Sequence, residues 1–400
     1  MSAEIRENPS HVPASLVVDF DFIHPEGADT DPYAALKSLH DGPDIFWTPR
    51  NGGHWVATRG ADIRGILSDN ENFSSRAVFI PPMKRPPVIP LEVDPPAHAG
   101  YRRLISPAFF PKAVANWLEQ ARGLAVSIIE KLRPFGECEF VGDFAQQLPI
   151  IIFLRMCDLP LEDREMLLGW VGASLRPTDP VLRDQARASM SEYIRKWIAL
   201  RRAAPGDDLL SRVVTAEIDG RRLDDLEVHS IATGLLGGGL DTVAASMSWM
   251  ARFLAEHPAH RQQLIDDPEL IANAIEELLR RFSVPNIARV VAKDLVYKGV
   301  AMKGGEQILL SACLHGMDEQ SFEDPLTVDF ARKDARMDST FSQGIHRCPG
   351  SMLALAELRI FLEEWLRCIP DFWIKPGETV RTATGIVHGV LTLPLAWNVR

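Results

Sequence analysis

The longest helical pattern in the sequence limits the folds that this chain can adopt. From Leu226 to Glu256 the spacing of apolar residues predicts one long helix, which ends at His257-Pro258. Apolar residues lie on most of its sides, and a helix of that kind is usually buried. The chain has 400 residues, of which 46% are hydrophobic, so it can surround this helix with a large core. We therefore expect a helix through the middle of the molecule.

The rest of the chain is predicted to be mainly helical, with minor β structure. Apolar residues recur at helical spacing in six further segments. These are Lys112 to Leu132, Leu161 to Leu175, Asp184 to Arg202, Arg261 to Asp266, Glu269 to Phe282 and Ser351 to Cys368. β-Branched runs predict small sheets at His54 to Thr58, Ala288 to Leu310 and Gly385 to Trp397. No change of composition divides the chain, so residues 1–400 are expected to form a single domain.

Three segments are predicted to lack regular structure. Seven prolines between Pro81 and Pro96 exclude a continuous helix or a central strand there. Long loops of this kind often act as functional lids, and a plain surface connection is the alternative. The first thirty residues are expected to wrap the surface, and Pro325 to Thr340 is expected to be coil.

Charge and cysteine content exclude several classes of protein. The 43 basic and 54 acidic residues give a net charge of −11, which disfavours nucleic-acid binding. Five cysteines without a CxxC pair disfavour a disulfide framework or a zinc site and suggest a reducing compartment. The N-terminus lacks the apolar run of a signal peptide, and the most apolar stretch, Leu148 to Leu154, is too short to span a membrane. We expect a cytoplasmic protein without a membrane partner.

A cysteine lies in a glycine-containing segment directly before a predicted helix. The segment reads Phe341-Ser-Gln-Gly-Ile-His-Arg-Cys-Pro-Gly350. The N-terminus of a helix favours negative charge, so we expect a lowered pKa for Cys348, whose thiolate would be a nucleophile or a metal ligand. Gly344 and Gly350 let the backbone approach a flat object closely. A buried structural cysteine is the alternative.

Two further motifs carry chemistry. Glu277 and Arg280 are three residues apart on one helix face and can form a salt bridge, although many such pairs are solvated surface pairs. The long helix contains Gly234-Leu-Leu-Gly-Gly-Gly-Leu-Asp-Thr242. Each interior glycine costs about 1 kcal/mol against alanine, which is tolerated where something approaches the backbone or the helix bends. Close helix packing is the alternative.

Together and in this order, the three motifs resemble the cytochrome P450 family. Residues 341–350 look like its haem-binding loop, Glu277 and Arg280 like its ExxR pair, and Gly238 to Thr242 like its oxygen-binding helix. Asp329-Phe-Ala-Arg332 is similar to the segment whose arginine joins the ExxR pair in a buried network. The likeness runs from about Pro13 to Trp397. Residues 51–59, 276–283 and 369–372 look most like the bacterial camphor-hydroxylating branch.

The resemblance implies a P450 fold with a haem b between the long helix and the helix that follows the cysteine. Cys348 would then bind the iron. The other residues at haem-binding positions are His98, Arg102, Arg289, His346, Gly238 and Phe341. Histidine and arginine would satisfy the two propionates, which are costly to bury alone. Arg102 and Arg289 could alternatively be plain surface charges.

Two residues of the loop depart from the family pattern. Ser342 stands where the loop usually has glycine, so its φ is expected to stay near the common regions and the local backbone to differ slightly. Pro349 follows the cysteine and has no N–H to offer the sulfur. If relatives use that N–H, its loss leaves a more electron-rich thiolate.

The resemblance also implies the reaction and its partners. One atom of dioxygen enters the substrate and the other becomes water, with Asp241 relaying protons and Thr242 acting next to the reacting oxygen. No strand-GxGxxG-helix unit is visible, so electrons must come from another protein. Bacterial relatives use a [2Fe–2S] ferredoxin and a flavoprotein reductase. Arg347, Arg102, Arg103 and Lys112 could form a basic patch for it, or be scattered solvated cations.

Three other functions remain open from the residues alone. A non-catalytic haem protein would need no acid and hydroxyl pair such as Asp241-Thr242. A cysteine hydrolase would have to use Cys348 with His346, although the base for a nucleophile usually comes from elsewhere in the fold. Some members of the wider family are driven by peroxide, but the Asp241-Thr242 pair favours dioxygen.

The apolar positions indicate a substrate larger than camphor. Camphor-oxidising members of the resembled branch hold the ketone through a tyrosine in the loop before Asp-Pro-Pro, and residues 81–93 contain none here. They also carry large aliphatic residues where this chain has Gly234 and Gly237, so we expect a wider pocket. The other residues at lining positions are Phe79, Val284, Ile287, Ile386 and Val387. We expect a terpenoid or norisoprenoid of ionone type to bind better than camphor.

Overall fold

Thirteen α-helices account for most of the secondary structure among the described residues of the chain. A computed structural model describes residues 5–28, 31–83, 85–175 and 180–399. Parts of the predicted N-terminal segment (residues 1–4, 29 and 30) and Lys84 of the proline-rich loop lie outside the described residues. The helices are α1 (Pro32–Lys37), α2 (Gly60–Ser68), α3 (Ala97–Ile105), α4 (Pro111–Leu132), α5 (Gln147–Met156), α6 (Arg164–Leu175), α7 (Pro180–Ala203), α8 (Leu209–Thr215), α9 (Asp225–Glu256), α10 (Pro258–Asp266), α11 (Ile271–Arg281), α12 (Ala312–Gly316) and α13 (Ser351–Cys368).

All seven predicted helices are present, and the ends of six of them are shifted. The largest shift is at the N-terminus of α7, which begins at Pro180 and not at Asp184. Helices α6 and α11 begin later than predicted because a short 3₁₀ turn precedes each of them. The long helix α9 begins at Asp225 because Asp224 accepts a hydrogen bond from the Glu227 N–H, while the Glu227 carboxylate accepts one from the Asp224 N–H. This capping box satisfies two groups that the first turn leaves unpaired.

The strands form one sheet of five, one of three and three pairs among the described residues. They are β1 (Ile45–Thr48), β2 (His54–Ala57), β3 (Phe73–Ser74), β4 (Glu137–Glu139), β5 (Glu217–Ile218), β6 (Arg221–Arg222), β7 (Asn286–Val291), β8 (Leu295–Tyr297), β9 (Val300–Met302), β10 (Gln307–Ser311), β11 (Phe372–Ile374), β12 (Arg381–Ala383), β13 (Gly389–Thr392) and β14 (Pro394–Trp397). The larger sheets have the orders β1-β2-β10-β7-β3 and β11-β14-β4. The prediction of a mainly α fold with minor β structure is therefore confirmed.

Helix α9 runs through the centre of the core, as its composition predicts. It packs against α5, α7 and α13, and it is unbroken across the glycines. One cluster of buried apolar side chains reaches from Val12 to Trp397 and includes α9. Phe20 and Phe22 also belong to this cluster, so the N-terminal segment adds side chains to the core besides covering the surface.

The proline-rich loop lies against the first half of α9. The described residues between Pro81 and Pro96 form neither helix nor strand, as predicted. The Ile89 N–H donates to the Ser230 hydroxyl at 3.0 Å, and that hydroxyl donates to the Pro87 carbonyl. The loop is thereby fixed on α9 just before α3 begins. None of the described helices is long and apolar enough to cross a membrane.

Candidate active site

The segment before α13 folds into a tight loop around Cys348. The Cys348 N–H donates to the Phe341 carbonyl at 2.8 Å, and a 3₁₀ turn spans Gly344–His346. Gly344 has a φ of 66°, and an added Cβ there would lie 3.1 Å from the Ser68 Cα. Only glycine fits that conformation and that approach without strain. Phe341 is half-buried and packs against the core.

The pKa of Cys348 differs from the expected direction. Burial raises the pKa of the thiol, while the Gly350 and Ser351 backbone N–H groups and the Arg102 and Arg347 side chains partly oppose this. The prediction of a lowered pKa is therefore wrong for the free thiol, because desolvation outweighs the helix terminus. A coordinated metal cation would deprotonate the thiol outright. Although Pro349 offers no N–H, the two following residues do face the sulfur.

Ser342 also departs from its prediction. Its φ is 59°, in the left-handed region, and not near the common regions. The turn imposes the conformation that glycine would adopt freely, at a cost to serine of about 1–2 kcal/mol. Its hydroxyl is buried without a hydrogen-bond partner in the described part of the chain. The backbone of the loop therefore keeps the glycine conformation despite the serine.

Four residues predicted to bind propionates lie in or beside the cysteine loop. The rings of His98 on α3 and His346 in the loop lie 4.2 Å apart between centroids. Arg289 on β7 lowers the pKa of His346 electrostatically, so the two groups are neighbours. Arg102 reaches the same loop, because its Nη2 donates to the Arg347 carbonyl at 2.8 Å.

Three nitrogen atoms of this group are buried without a hydrogen-bond partner among the described residues. Nε2 of His98, Nε2 of His346 and Nη2 of Arg289 are buried without a hydrogen bond, although Arg289 Nη1 donates to the Ala288 carbonyl at 3.0 Å. Burial lowers the pKa of Arg289 to about 10 and that of His346 to about 3. Unpaired buried donors are costly, so the site fits an anionic ligand that accepts several hydrogen bonds. The two propionates of a haem have that chemistry.

The Glu277–Arg280 pair is fully buried and takes in Arg332, as the resemblance implies. Arg280 Nε and Nη2 donate to the two Glu277 carboxylate oxygens at 2.7 and 2.8 Å. Arg332 Nε and the Asp329 N–H add two contacts of 3.0 Å to Oε1. The alternative of a solvated surface pair is excluded, since the side chains of Glu277 and Arg280 are 0% exposed.

The acid and hydroxyl of α9 lie where the glycines end. Asp241 is buried, and the half-buried Thr242 donates its hydroxyl hydrogen to the Gly238 carbonyl at 2.9 Å. An added Cβ at Gly237, Gly238 or Gly239 would meet no atom within 4 Å. Since α9 is continuous, the glycines leave open space along the helix and do not break it.

The prediction that Gly234 widens the substrate pocket is wrong. This glycine was expected to widen the substrate pocket together with Gly237, but an added Cβ there would lie 2.7 Å from Val88 Cγ1 and 3.3 Å from the Ile89 carbonyl. The proline-rich loop therefore occupies the space that a larger side chain would fill. Of these two glycines, only Gly237 faces open space.

The predicted apolar lining residues come from three segments that hydrogen-bond to one another. Within them, the Asn286 N–H donates to the Ile386 carbonyl at 2.9 Å, and Pro285 bridges to Val387. The Ala288 N–H donates to the Val78 carbonyl at 2.8 Å, next to Phe79. Val284 is buried, whereas Phe79, Ile287, Ile386 and Val387 are half-buried. The structure thus brings all five into one neighbourhood.

Two carboxyl groups, the half-buried Asp94 and the buried Glu357, were not identified from the sequence. Asp94 accepts from the Ser75 N–H at 2.8 Å and raises the pKa of both Arg289 and His346 electrostatically. Its position before Pro95-Pro96, at the start of α3, was the available signal. Glu357 on α13 has a pKa raised by burial to about 8. The apolar spacing predicts that Glu357 lies on a helix, but it does not predict that its carboxyl group is buried.

Comparison with known proteins agrees with this geometry. Residues 179–369 match the sequence profile described as Cytochrome P450. Probable cytochrome P450 127A1 of Sinorhizobium fredii is 38% identical, over 97% of this chain and 96% of that protein. Erythromycin C-12 hydroxylase of Saccharopolyspora erythraea is 33% identical, over 86% of this chain and 89% of that protein. The crystal structure of CYP101J2 has a TM-score of 0.89 at 38% identity and covers 98% of this chain and 100% of that chain.

These similarities extend across the loop, the long helix and the ion-pair network together. They confirm the resemblance drawn from the motifs, the P450 fold and a haem b cofactor. Relatives with named activities are hydroxylases and oxygenases, which agrees with a monooxygenase and not with a cysteine hydrolase. The chain therefore belongs to the cytochrome P450 family of haem monooxygenases.

Proposed function

We propose that this cytochrome P450 binds its haem iron through Cys348 and hydroxylates a small apolar terpenoid with dioxygen. The observation that carries the ligand assignment is the set of unpartnered donors on His98, His346 and Arg289 around the Cys348 loop. A haem held by its propionates at these donors would present its iron to a sulfur in that loop. The haem supplies dioxygen activation, which thiolate donation to the iron favours.

The residues of α9 would control proton delivery. The buried Asp241 directly precedes Thr242 in the sequence. The Thr242 hydroxyl can exchange its hydrogen bond to the Gly238 carbonyl for one to an acceptor on the open side of the helix. Asp241 would take up protons from solvent and Thr242 would hold the last donor at the reacting oxygen. Purified protein with haem, given a reductant and a substrate that shifts its spin state, should therefore form hydroxylated product from dioxygen.

Thr242→Ala is expected to uncouple the reaction. The variant should still consume reductant and dioxygen, but it should release more hydrogen peroxide and less product because the last proton donor is missing. Thr233→Ala is the matched control, since Thr233 lies on the same helix and its hydroxyl donates to the His229 carbonyl at 2.8 Å in the same way. Peroxide and product yields per reductant measure the effect. Full coupling in Thr242→Ala would remove the proton-relay role.

The electron donor is proposed to be a [2Fe–2S] ferredoxin fed by a flavoprotein reductase. Arg347 is exposed beside Cys348. Arg103 on α3 and Lys112 in the first turn of α4 are also exposed. Arg102 joins α3 to the loop through the Arg347 carbonyl. In a chain with a net charge of −11, this local group of cations fits an acidic partner.

Arg347→Glu is expected to slow electron transfer from such a ferredoxin and to change its salt dependence. The reversed charge repels an acidic partner, while substrate binding should not change. Lys196→Glu is the control, because Lys196 is an exposed cation on α7 and the charge change is the same. Stopped-flow reduction at several ionic strengths measures the rate. Equal rates for wild type and Arg347→Glu at every ionic strength would exclude this residue from the interface.

The substrate is proposed to be a terpenoid or norisoprenoid larger than camphor. The described residues of the loop from Pro81 to Val93 offer no tyrosine hydroxyl, and Gly237 leaves open space on α9. The neighbourhood formed by Val284, Ile287 and Ile386 is apolar. Without a hydrogen bond to its ketone, camphor would lose about 1 kcal/mol of binding free energy, and a poor fit would add to this loss.

A paired titration tests the substrate class. An ionone-type ligand is expected to shift the haem spin state fully at lower concentration than camphor. Gly237→Leu should reverse part of this preference, because the added side chain enters open space that the larger ligand needs. Absorption spectra of the ferric protein report the shift. Tight camphor binding with a full shift, and no response to ionone-type ligands, would overturn the proposal.

A further inference from the structure

A small apolar cavity lies between α5, α7, α8 and α9. Its lining includes Phe153 from α5, Leu210 and Val213 from α8, and Ala232, Leu235 and Leu236 from α9. The cavity volume that a water-sized sphere can occupy is about 20 Å³. One such sphere needs roughly 10–15 Å³, so the cavity admits a single small molecule.

The chemistry of the lining favours an apolar guest over water. The Tyr193 hydroxyl is used, because it donates to Asp163 Oδ2 at 2.7 Å. Burial raises the pKa of the Cys157 thiol to about 12, so this group stays neutral. The Trp197 N–H is the one buried side-chain polar atom of the described lining without a hydrogen bond. A buried water needs roughly two to four polar partners, whereas apolar cavities stay dry and accept gases such as xenon.

The cavity faces the same side of α9 as one of the open glycines. Ala232, Leu235 and Leu236 are at positions i, i+3 and i+4, so the next residue on this face is Gly239, at i+7. No atom lies within 4 Å of an added Cβ at Gly239. Gly238, its neighbour, accepts the hydrogen bond of Thr242. The cavity face of α9 therefore continues to the exposed Gly239, next to the residue that accepts the Thr242 hydrogen bond.

We infer that this cavity is a binding site for dioxygen, from which the gas reaches the haem along the Gly239 side of α9. The inference rests on the proposed function, because it assigns a waiting position to the substrate gas. Dioxygen is apolar and small enough for a one-molecule cavity, and its residence there would raise its local concentration near Thr242. The binding itself needs no haem chemistry.

Xenon is the probe for the binding site. Crystals or solutions of the haem-loaded protein under xenon pressure are expected to show an atom between Leu210, Val213 and Ala232. Ala232→Leu should abolish xenon binding by filling the cavity, and Leu210→Ala should increase it by enlarging the cavity. Leu264→Ala is the matched control, because Leu264 is a buried leucine that does not line the cavity.

The rate of dioxygen binding to the reduced protein tests the role. It is expected to fall severalfold in Ala232→Leu, to rise in Leu210→Ala and to stay at the wild-type value in Leu264→Ala. Absence of xenon from the wild-type cavity, or an unchanged dioxygen rate in Ala232→Leu, would overturn the inference. A failure of the proposed function would be seen separately, as a missing thiolate-type spectrum of the carbonyl complex in wild-type protein.

Discussion

Cys348→Ser is expected to lose the red-shifted absorption band of the ferrous carbonyl complex and all hydroxylation. A serine hydroxyl stays protonated where a metal-bound thiol would not, so the strong electron donation that favours O–O cleavage disappears. Haem could still be retained through His98, His346 and Arg289, whose buried donors do not depend on the sulfur. The carbonyl difference spectrum and product formation measure the two losses.

The control for this variant is Cys368→Ser. Cys368 is half-buried like Cys348, so both changes replace a partly exposed thiol. Cys368 is the last residue of α13, whereas Cys348 lies just before its first residue. Cys368→Ser should keep the band and the activity. Circular dichroism should show that both variants keep their helices. A Cys348→Ser protein that retains the red-shifted band would show that another residue binds the iron.

The sequence predicts helices well where apolar residues recur every three to four positions. Helices α4, α9 and α13 were predicted within one residue of their ends because their patterns and stop signals are clear. Helix α5 was missed, although its Leu148 to Leu154 stretch was noticed, because seven of its ten residues are buried. A short run that is apolar on all sides has no period, and it fits a strand as well as a helix.

The motifs also predicted which residues meet, but not their local energetics. Arg332 and Glu277 are 55 positions apart, so no local sequence pattern predicts their contact. The contact was predicted from the family resemblance. The approach of Val88 to Gly234 has no local signal, and this approach reversed the expected effect of that glycine. The left-handed Ser342 and the raised pKa of Cys348 depend on the folded loop. Conformation and desolvation of this kind come from tertiary contacts.

Glu277→Gln is expected to be the most destabilising single change in the network. The Glu277 carboxylate accepts four hydrogen bonds, from Arg280 twice, from Arg332 and from the Asp329 N–H. Removing one partner of a buried ion pair leaves an uncompensated charge and costs about 3–5 kcal/mol. Globular proteins have a total stability of only about 5–15 kcal/mol, so this loss is a large part of the free energy of unfolding.

The network also holds the chain that leads to the haem loop. Arg280 donates to the carbonyls of Pro325 and Thr327 at 2.7 and 3.2 Å and to that of Gly316. With its charge uncompensated, Arg280 would no longer fix the segment before Phe341. We therefore expect Glu277→Gln to lower the haem content of the purified protein as well as the midpoint of urea unfolding.

The size of the loss separates a buried network from an ordinary helical ion pair. In the control Glu256→Gln, the partner Arg252 lies at 3.1 Å, but the two side chains are 37% and 20% exposed, so a loss of only about 0–1 kcal/mol is expected. When all members of an isolated buried ion network are replaced by apolar residues of similar size, the stability of the protein is often retained. The corresponding triple variant replaces Glu277, Arg280 and Arg332. Here rescue is not expected, because the carbonyls of Pro325, Thr327 and Gly316 would lose their donors. Stability of the triple variant near the wild-type value, or equal losses in Glu277→Gln and Glu256→Gln, would show that the network does not support the haem loop.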